Sequence, residues 1–262
     1  MLGVLTRMMP RRQPIPWWHT GPHLLKPRRP GNPVAGKILK MLWDKYVGGN
    51  KDDGTPDEDR LCYPDNYLNI IKESDSNASP DDQLNQIATG IYLDHKKKLY
   101  WVDERTGSNC FMLFARSLSI TWGNDSRYWD WPCMEDTKSN TMIEMAELRS
   151  VFWLEVRGKL NGSYLSPQTN YEVVFVVKLK QEAHGWDRPV TLKLVQPNGK
   201  AQQQEVTLEN KKREQYIEIC VGEFNSGHDE KGELQFALLG NESYIGKSGL
   251  TIRGVIIRPK QY

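Results

Sequence analysis

The chain contains no apolar run approaching the ~20 residues that a bilayer-crossing helix requires, so a membrane span is not expected. It has only four cysteines, Cys62, Cys110, Cys133 and Cys220, and no C-x-x-C pair. That spacing argues against the common zinc sites and fits a reducing compartment better than a disulfide scaffold. The histidines His19, His23, His95, His184 and His228 show no ligand spacing. There is no G-x-S-x-G nucleophile elbow and no phosphate-cradling glycine loop, and no cofactor is called for. The net charge of +2 gives no global reason to expect a nucleic-acid or membrane partner. The first residues lack the apolar run of a secretory signal, so the expected location is cytoplasmic or nuclear, not secreted. The sequons at Asn77, Asn124, Asn161 and Asn241 are then read as chance.

What charge there is sits unevenly. Residues 1–33 carry Arg7, Arg11, Arg12, Lys26, Arg28 and Arg29 with no acidic residue, among several prolines, and read as a basic disordered arm. Residues 34–89 read as a linker with short helices. Apolar residues at 34, 38, 39, 42, 43, 46 and 47 keep helical spacing, and Ser79-Pro80-Asp81-Asp82 is a capped start for a helix to about Ala88.

From Ile91 the hydrophobic period changes to two. Tyr171, Val173, Phe175, Val177 and Leu179 alternate with Glu172, Val174, Val176 and Lys178, and Leu234, Phe236 and Leu238 repeat the pattern. Turn residues such as Asn161-Gly162 and Pro197-Asn198-Gly199 separate the runs. Many short strands and few helices make residues 90–262 an all-β domain, an antiparallel jelly-roll-like β-sandwich behind a short, partly helical N-terminal extension. One helix is expected near Thr141–Arg149, where Met142, Met145, Ala146 and Leu148 sit close to helical spacing.

The chemistry concentrates between Ser119 and Trp131, in SITWGNDSRYWDW. Indole faces cover apolar C–H surfaces, while the neighbouring amide, carboxylate, hydroxyl and guanidinium groups make directional hydrogen bonds. A sugar ring offers both kinds of surface. Trp122 and Trp129 are an odd number of positions apart and cannot share a strand face, but a turn at Gly123-Asn124-Asp125 would bring both to one rim. The competing reading is a tight turn whose tryptophans simply pack.

The stretch from about Asn109 to Pro259 resembles the phloem protein two superfamily of plant lectins, whose members include the cucurbit phloem lectins and the jasmonate-inducible tobacco lectin. The matching blocks are Asn109-Cys-Phe-Met-Leu113 with Ala115-Arg116, Leu118-Ser-Ile-Thr-Trp122, Tyr128-Trp-Asp-Trp131, Val151-Phe-Trp-Leu-Glu-Val-Arg-Gly158, Gly232-Glu233-Leu234, Lys247-Ser-Gly249 and Arg253-Gly254-Val-Ile-Ile-Arg258-Pro259. The long N-terminal extension looks closest to the cucurbit type. The resemblance implies non-catalytic binding of N-acetylglucosamine oligomers, chitin fragments and N-glycan cores. It ties Trp122 and Trp129 to sugar binding, and places Glu233 where acidic residues contribute. Tyr128, Arg127, Asp125 and Asn124 join as candidates by proximity. Family members also occur in sieve-tube assemblies and RNA trafficking, which keeps RNA, a homodimer and a disulfide-linked assembly among the possible partners. Cys62 is the cysteine read as available for such a link.

Two rival classes remain. A glycoside hydrolase needs two carboxylates about 5–10 Å apart, and Asp125, Asp130, Glu147, Glu155 and Glu233 are not paired by sequence. An RNA-binding surface would combine stacking at Trp122, Tyr128 and Trp129 with Arg127 and the basic arm, and would weaken steeply with salt.

Overall fold

Tyr171, Val173, Phe175, Val177 and Leu179 all point into the core and are fully buried, so the period-two pattern is a true strand face. The computed structural model describes residues 33–46, 63–136, 141–228, 231–240 and 244–260. The basic arm, but for Pro33, and Cys62 lie outside the described residues.

The helices are α1 (Pro33–Tyr46), α2 (Tyr67–Ile70) and α3 (Pro80–Leu84). The strands are β1 (Ile91–Leu93), β2 (Lys98–Val102), β3 (Asn109–Phe114), β4 (Ser119–Ile120), β5 (Trp129–Asp130), β6 (Cys133–Asp136), β7 (Thr141–Glu144) and β8 (Ala146–Leu148). They continue as β9 (Leu154–Asn161), β10 (Asn170–Leu179), β11 (Val190–Val195), β12 (Ala201–Val206), β13 (Tyr216–Asn225), β14 (Glu233–Gly240) and β15 (Leu250–Pro259).

Two antiparallel sheets face each other. One runs β1-β2-β3-β15-β10-β13, with β8 on β15 and β5 on β8; the other runs β12-β11-β14-β9-β4. Phe175 of the first meets Phe236 of the second edge-on, ring centroids 6.1 Å apart. The fold is the expected β-sandwich. Gly254 sits where a Cβ would lie 2.1 Å from the Leu113 carbonyl oxygen, with φ +156°, so only glycine lets β15 approach β3 this closely.

The helical segments join the same core. Ala35, Ile38, Leu39 and Leu42 of α1 are buried at spacings of three and four, and Tyr67, Ile70, Leu84 and Ile87 are buried beside them. Each such leucine or isoleucine contributes about 1.5–3 kcal/mol on burial. Ser79 caps α3 by accepting from the Asp82 amide at 3.2 Å.

Asn109, first residue of a matched block, is the polar knot of this junction. Its side chain accepts from the Tyr100 hydroxyl at 2.9 Å and donates to the carbonyls of Asp65 (2.7 Å) and Tyr164 (2.9 Å). Its own carbonyl accepts from the Tyr171 hydroxyl. A buried amide with every group satisfied fixes a unique arrangement.

Two local expectations are corrected. Residues 141–149 form β7 and β8 rather than a helix, because Met145 breaks the run and Ala146–Leu148 pairs with both β5 and β15. Cys110 and Cys220 both fall in runs read from the sequence as strands, where a buried thiol is expected; Cys110 is buried, but Cys220 is exposed on β13. No helix among the described residues is long and apolar enough to cross a membrane.

Candidate functional site

The loop between β4 and β5 is held from below by two indoles. Trp129 Nε1 donates to the Thr121 carbonyl at 3.1 Å, and Trp131 Nε1 donates to the Gly123 carbonyl at 2.7 Å. Backbone turns complete the brace: the Asp125 amide donates to the Trp122 carbonyl, and the Tyr128 and Trp129 amides donate to the Asp125 carbonyl. A third anchor is Arg116, whose guanidinium lies 3.6 Å from the Trp131 ring centroid and grips Glu144 through two hydrogen bonds of 2.9 and 2.7 Å.

The brace forces Trp122 into the left-handed region at φ +57°, a conformation that costs a bulky residue about 1–3 kcal/mol. That turn swings the indole out to solvent, where it is 47% exposed. Its ring lies against Tyr128, centroids 5.1 Å apart and planes at 33°. Arg127 sits 5.4 Å from the Tyr128 ring centroid, and its guanidinium pairs with Asp125 at 2.6–3.0 Å. The pairing with Arg127 holds the Asp125 carboxyl below the ordinary carboxylate range. Asn124 is exposed at the tip of the same turn.

Two candidate residues are misplaced by the sequence reading. Trp129 is only 2% exposed: it faces the core from β5, opposite Leu148 of β8, and cannot offer its face to a ligand. Its part is to hold the loop. Glu233 pairs with Asn161 at the far end of β9, while Ile120 pairs with Val156. Five residues at ~3.3 Å each put Glu233 roughly 17 Å along the strand from the loop. There it binds Lys159 at 2.7 Å. The structure thus brings together Trp122, Asn124, Asp125, Arg127 and Tyr128 and leaves Trp129 and Glu233 out.

Trp153 lies outside the Ser119–Trp131 stretch that the sequence singles out, and from sequence it reads simply as core or surface packing. It is 44% exposed and donates its Nε1 to Glu155 at 3.0 Å, and the Thr121 amide donates to the Glu155 carbonyl beside it. Strand parity carried the signal: Leu154, Val156 and Leu160 are buried, so Trp153, Glu155 and Arg157 face outward.

The five acidic candidates for catalysis are each engaged by a cation: Asp125 by Arg127, Asp130 by Arg149, Glu147 by Lys180, Glu155 by Arg157 and Glu233 by Lys159. Hydrogen bonds from Arg127 to Asp125, and from Trp153 and Arg157 to Glu155, hold those two carboxyls below the ordinary range, the opposite of what a general acid needs.

The site is thus an exposed aromatic turn carried on one edge of an antiparallel β-sandwich. The sequence profile of the Phloem protein 2 family matches residues 108–259, and the chain belongs to that family. It is 43% identical over 203 residues to the phloem protein 2-like A1 protein of Arabidopsis thaliana, covering 76% of this chain and 82% of that protein. It is 41% identical over 177 residues to a lectin of Luffa acutangula, covering 67% and 83%. Among solved structures, a xylan-binding domain from Paenibacillus barcinonensis aligns at 13% identity with a TM-score of 0.33, over 57% of this chain and 89% of that domain.

Proposed function

We propose that the protein is a lectin that binds N-acetylglucosamine oligomers, including chitin fragments and N-glycan cores, without catalysis. The observation that carries this reading is the open Trp122 indole, propped on Tyr128 and presented by a loop whose backbone is pinned by two indole N–H donors. The apolar face of a sugar would stack on that indole, and Asp125, Asn124 and Arg127 would meet hydroxyls and the acetamido group. The Luffa relative's name as a lectin supports the class, and kinship with phloem proteins supports action inside phloem cells.

The physics sets the scale. One stacking face and a few neutral hydrogen bonds, each netting about 1 kcal/mol, favour oligomers over single sugars. Dissociation constants should fall between about micromolar and millimolar, or roughly −8 to −4 kcal/mol. The test is retention on a chitin column. Wild type should be retained and eluted by chitotriose, and Trp122→Ala should pass through; retention of the variant would remove the site.

A further inference from the structure

The outer face of the five-stranded sheet carries a groove that neither the Trp122 loop nor its partners use. Strand register lays out its floor. Ala237 of β14 pairs with Arg157 of β9 on one side and with Lys193 of β11 on the other, and Ser119 of β4 continues the row beyond Arg157. In the next row Gln235 pairs with Lys159. These residues line a groove of about 380 Å³. A small side chain at the centre, flanked by long cations on strands ~5 Å to either side, leaves a trough with basic walls.

The charge pattern is specific. Arg157 is held by Glu155 and Lys159 by Glu233, whereas no ion pair to a described residue occupies Lys193. With Glu205 of β12 on the same side, this face is balanced in charge, and Lys193 is the groove-lining cation that has no ion-pair partner among the described residues. Immediately before β9, the exposed Trp153 indole stands ~13 Å along the chain from Arg157, at ~3.3 Å per residue. A two-residue edge strand, β4, leaves the groove open along its side.

The geometry points to a second saccharide site, one that takes an acidic oligosaccharide: the carboxylate of a uronic-acid unit lies between Lys193 and Arg157 over Ala237. Ser119 and Gln235 bind hydroxyls, and a neighbouring unit reaches toward Trp153. One lysine without an ion-pair partner suits a single carboxylate gripped by charge-assisted hydrogen bonds. Nucleic-acid binding draws instead on several phosphate contacts at once, which this face does not supply. The site is separate from the Trp122 loop and stands or falls without it.

The probe is a tetramer of galacturonic acid, compared with its fully methyl-esterified form by calorimetry on the full chain. The acid form should bind at least tenfold more tightly than the ester. Lys193→Gln, at an exposed position, should weaken the acid at least fivefold while leaving chitin retention and the melting curve unchanged; Lys159→Gln should do the same to a smaller degree. Trp122→Ala should leave uronate binding intact. Equal binding of acid and ester, or no effect of Lys193→Gln, overturns the proposal. Loss of uronate binding in Trp122→Ala would move the ligand to the loop, and tighter, steeply salt-dependent binding of an oligouridylate would assign the groove to nucleic acid; either result also overturns it.

Discussion

Trp122 leans on Tyr128 with ring centroids 5.1 Å apart and planes inclined by 33°, so one indole face is supported by the protein and the other is open. The arrangement is held by the loop beneath it, not by burial of Trp122 itself. Fold and binding should therefore respond separately to changes in this loop.

Removing the ring while keeping the backbone tests that separation. Trp122→Gly replaces a strained left-handed residue with one that adopts φ +57° freely, so the variant should melt no lower than wild type, with up to about 1 kcal/mol gained. Chitin retention should vanish. Thermal denaturation and column retention on one preparation check both.

Trp129 should behave in the opposite way. Trp129→Ala opens a large cavity in the core and should cost about 3–5 kcal/mol, taking binding down with the fold. Trp129→Phe keeps most of the volume but removes the donor to the Thr121 carbonyl, at about 1 kcal/mol. Chemical denaturation orders the two variants.

The different fates of these two tryptophans explain what the sequence could show. Strand alternation in β10 and β14 was readable because burial on one face imposes a period of two. Trp122 and Trp129 look alike in sequence, but the left-handed turn at Trp122 breaks the period, and no residue type announces it. Met142, Met145, Ala146 and Leu148 fit helical spacing, yet short apolar runs do not distinguish a helix from two strands; pairing with β5 and β15 decided it. Glu233 was placed beside the tryptophans by family kinship alone, and only the β9–β14 register reveals the separation.

Asn109 offers a test of the junction between the helical segment and the sheets. Asn109→Ala strands the Tyr100 hydroxyl and the carbonyls of Asp65 and Tyr164, at about 1 kcal/mol or more for each. A loss of about 3 kcal/mol is expected from urea denaturation, with chitin retention preserved under native conditions.

The pH response follows from Asp125. Its folded pKa is depressed by Arg127, so the Asp125–Arg127 clamp is fully formed above the ordinary carboxylate value near ~3.9 and is lost as pH falls through the lower folded value. Sugar affinity should stay flat from neutral pH down to about 5 and fall only in stronger acid. Asp125→Asn should remove that acid limb; calorimetry across the range checks it.

The most direct measurement follows the indole N–H signals of ¹⁵N-labelled protein during titration with chitotriose. The signal of Trp122 should move most, saturating with the binding curve, while those of Trp129 and Trp131, committed to the carbonyls of Thr121 and Gly123, should hold nearly still. Saturable binding that leaves the Trp122 signal in place would contradict the account.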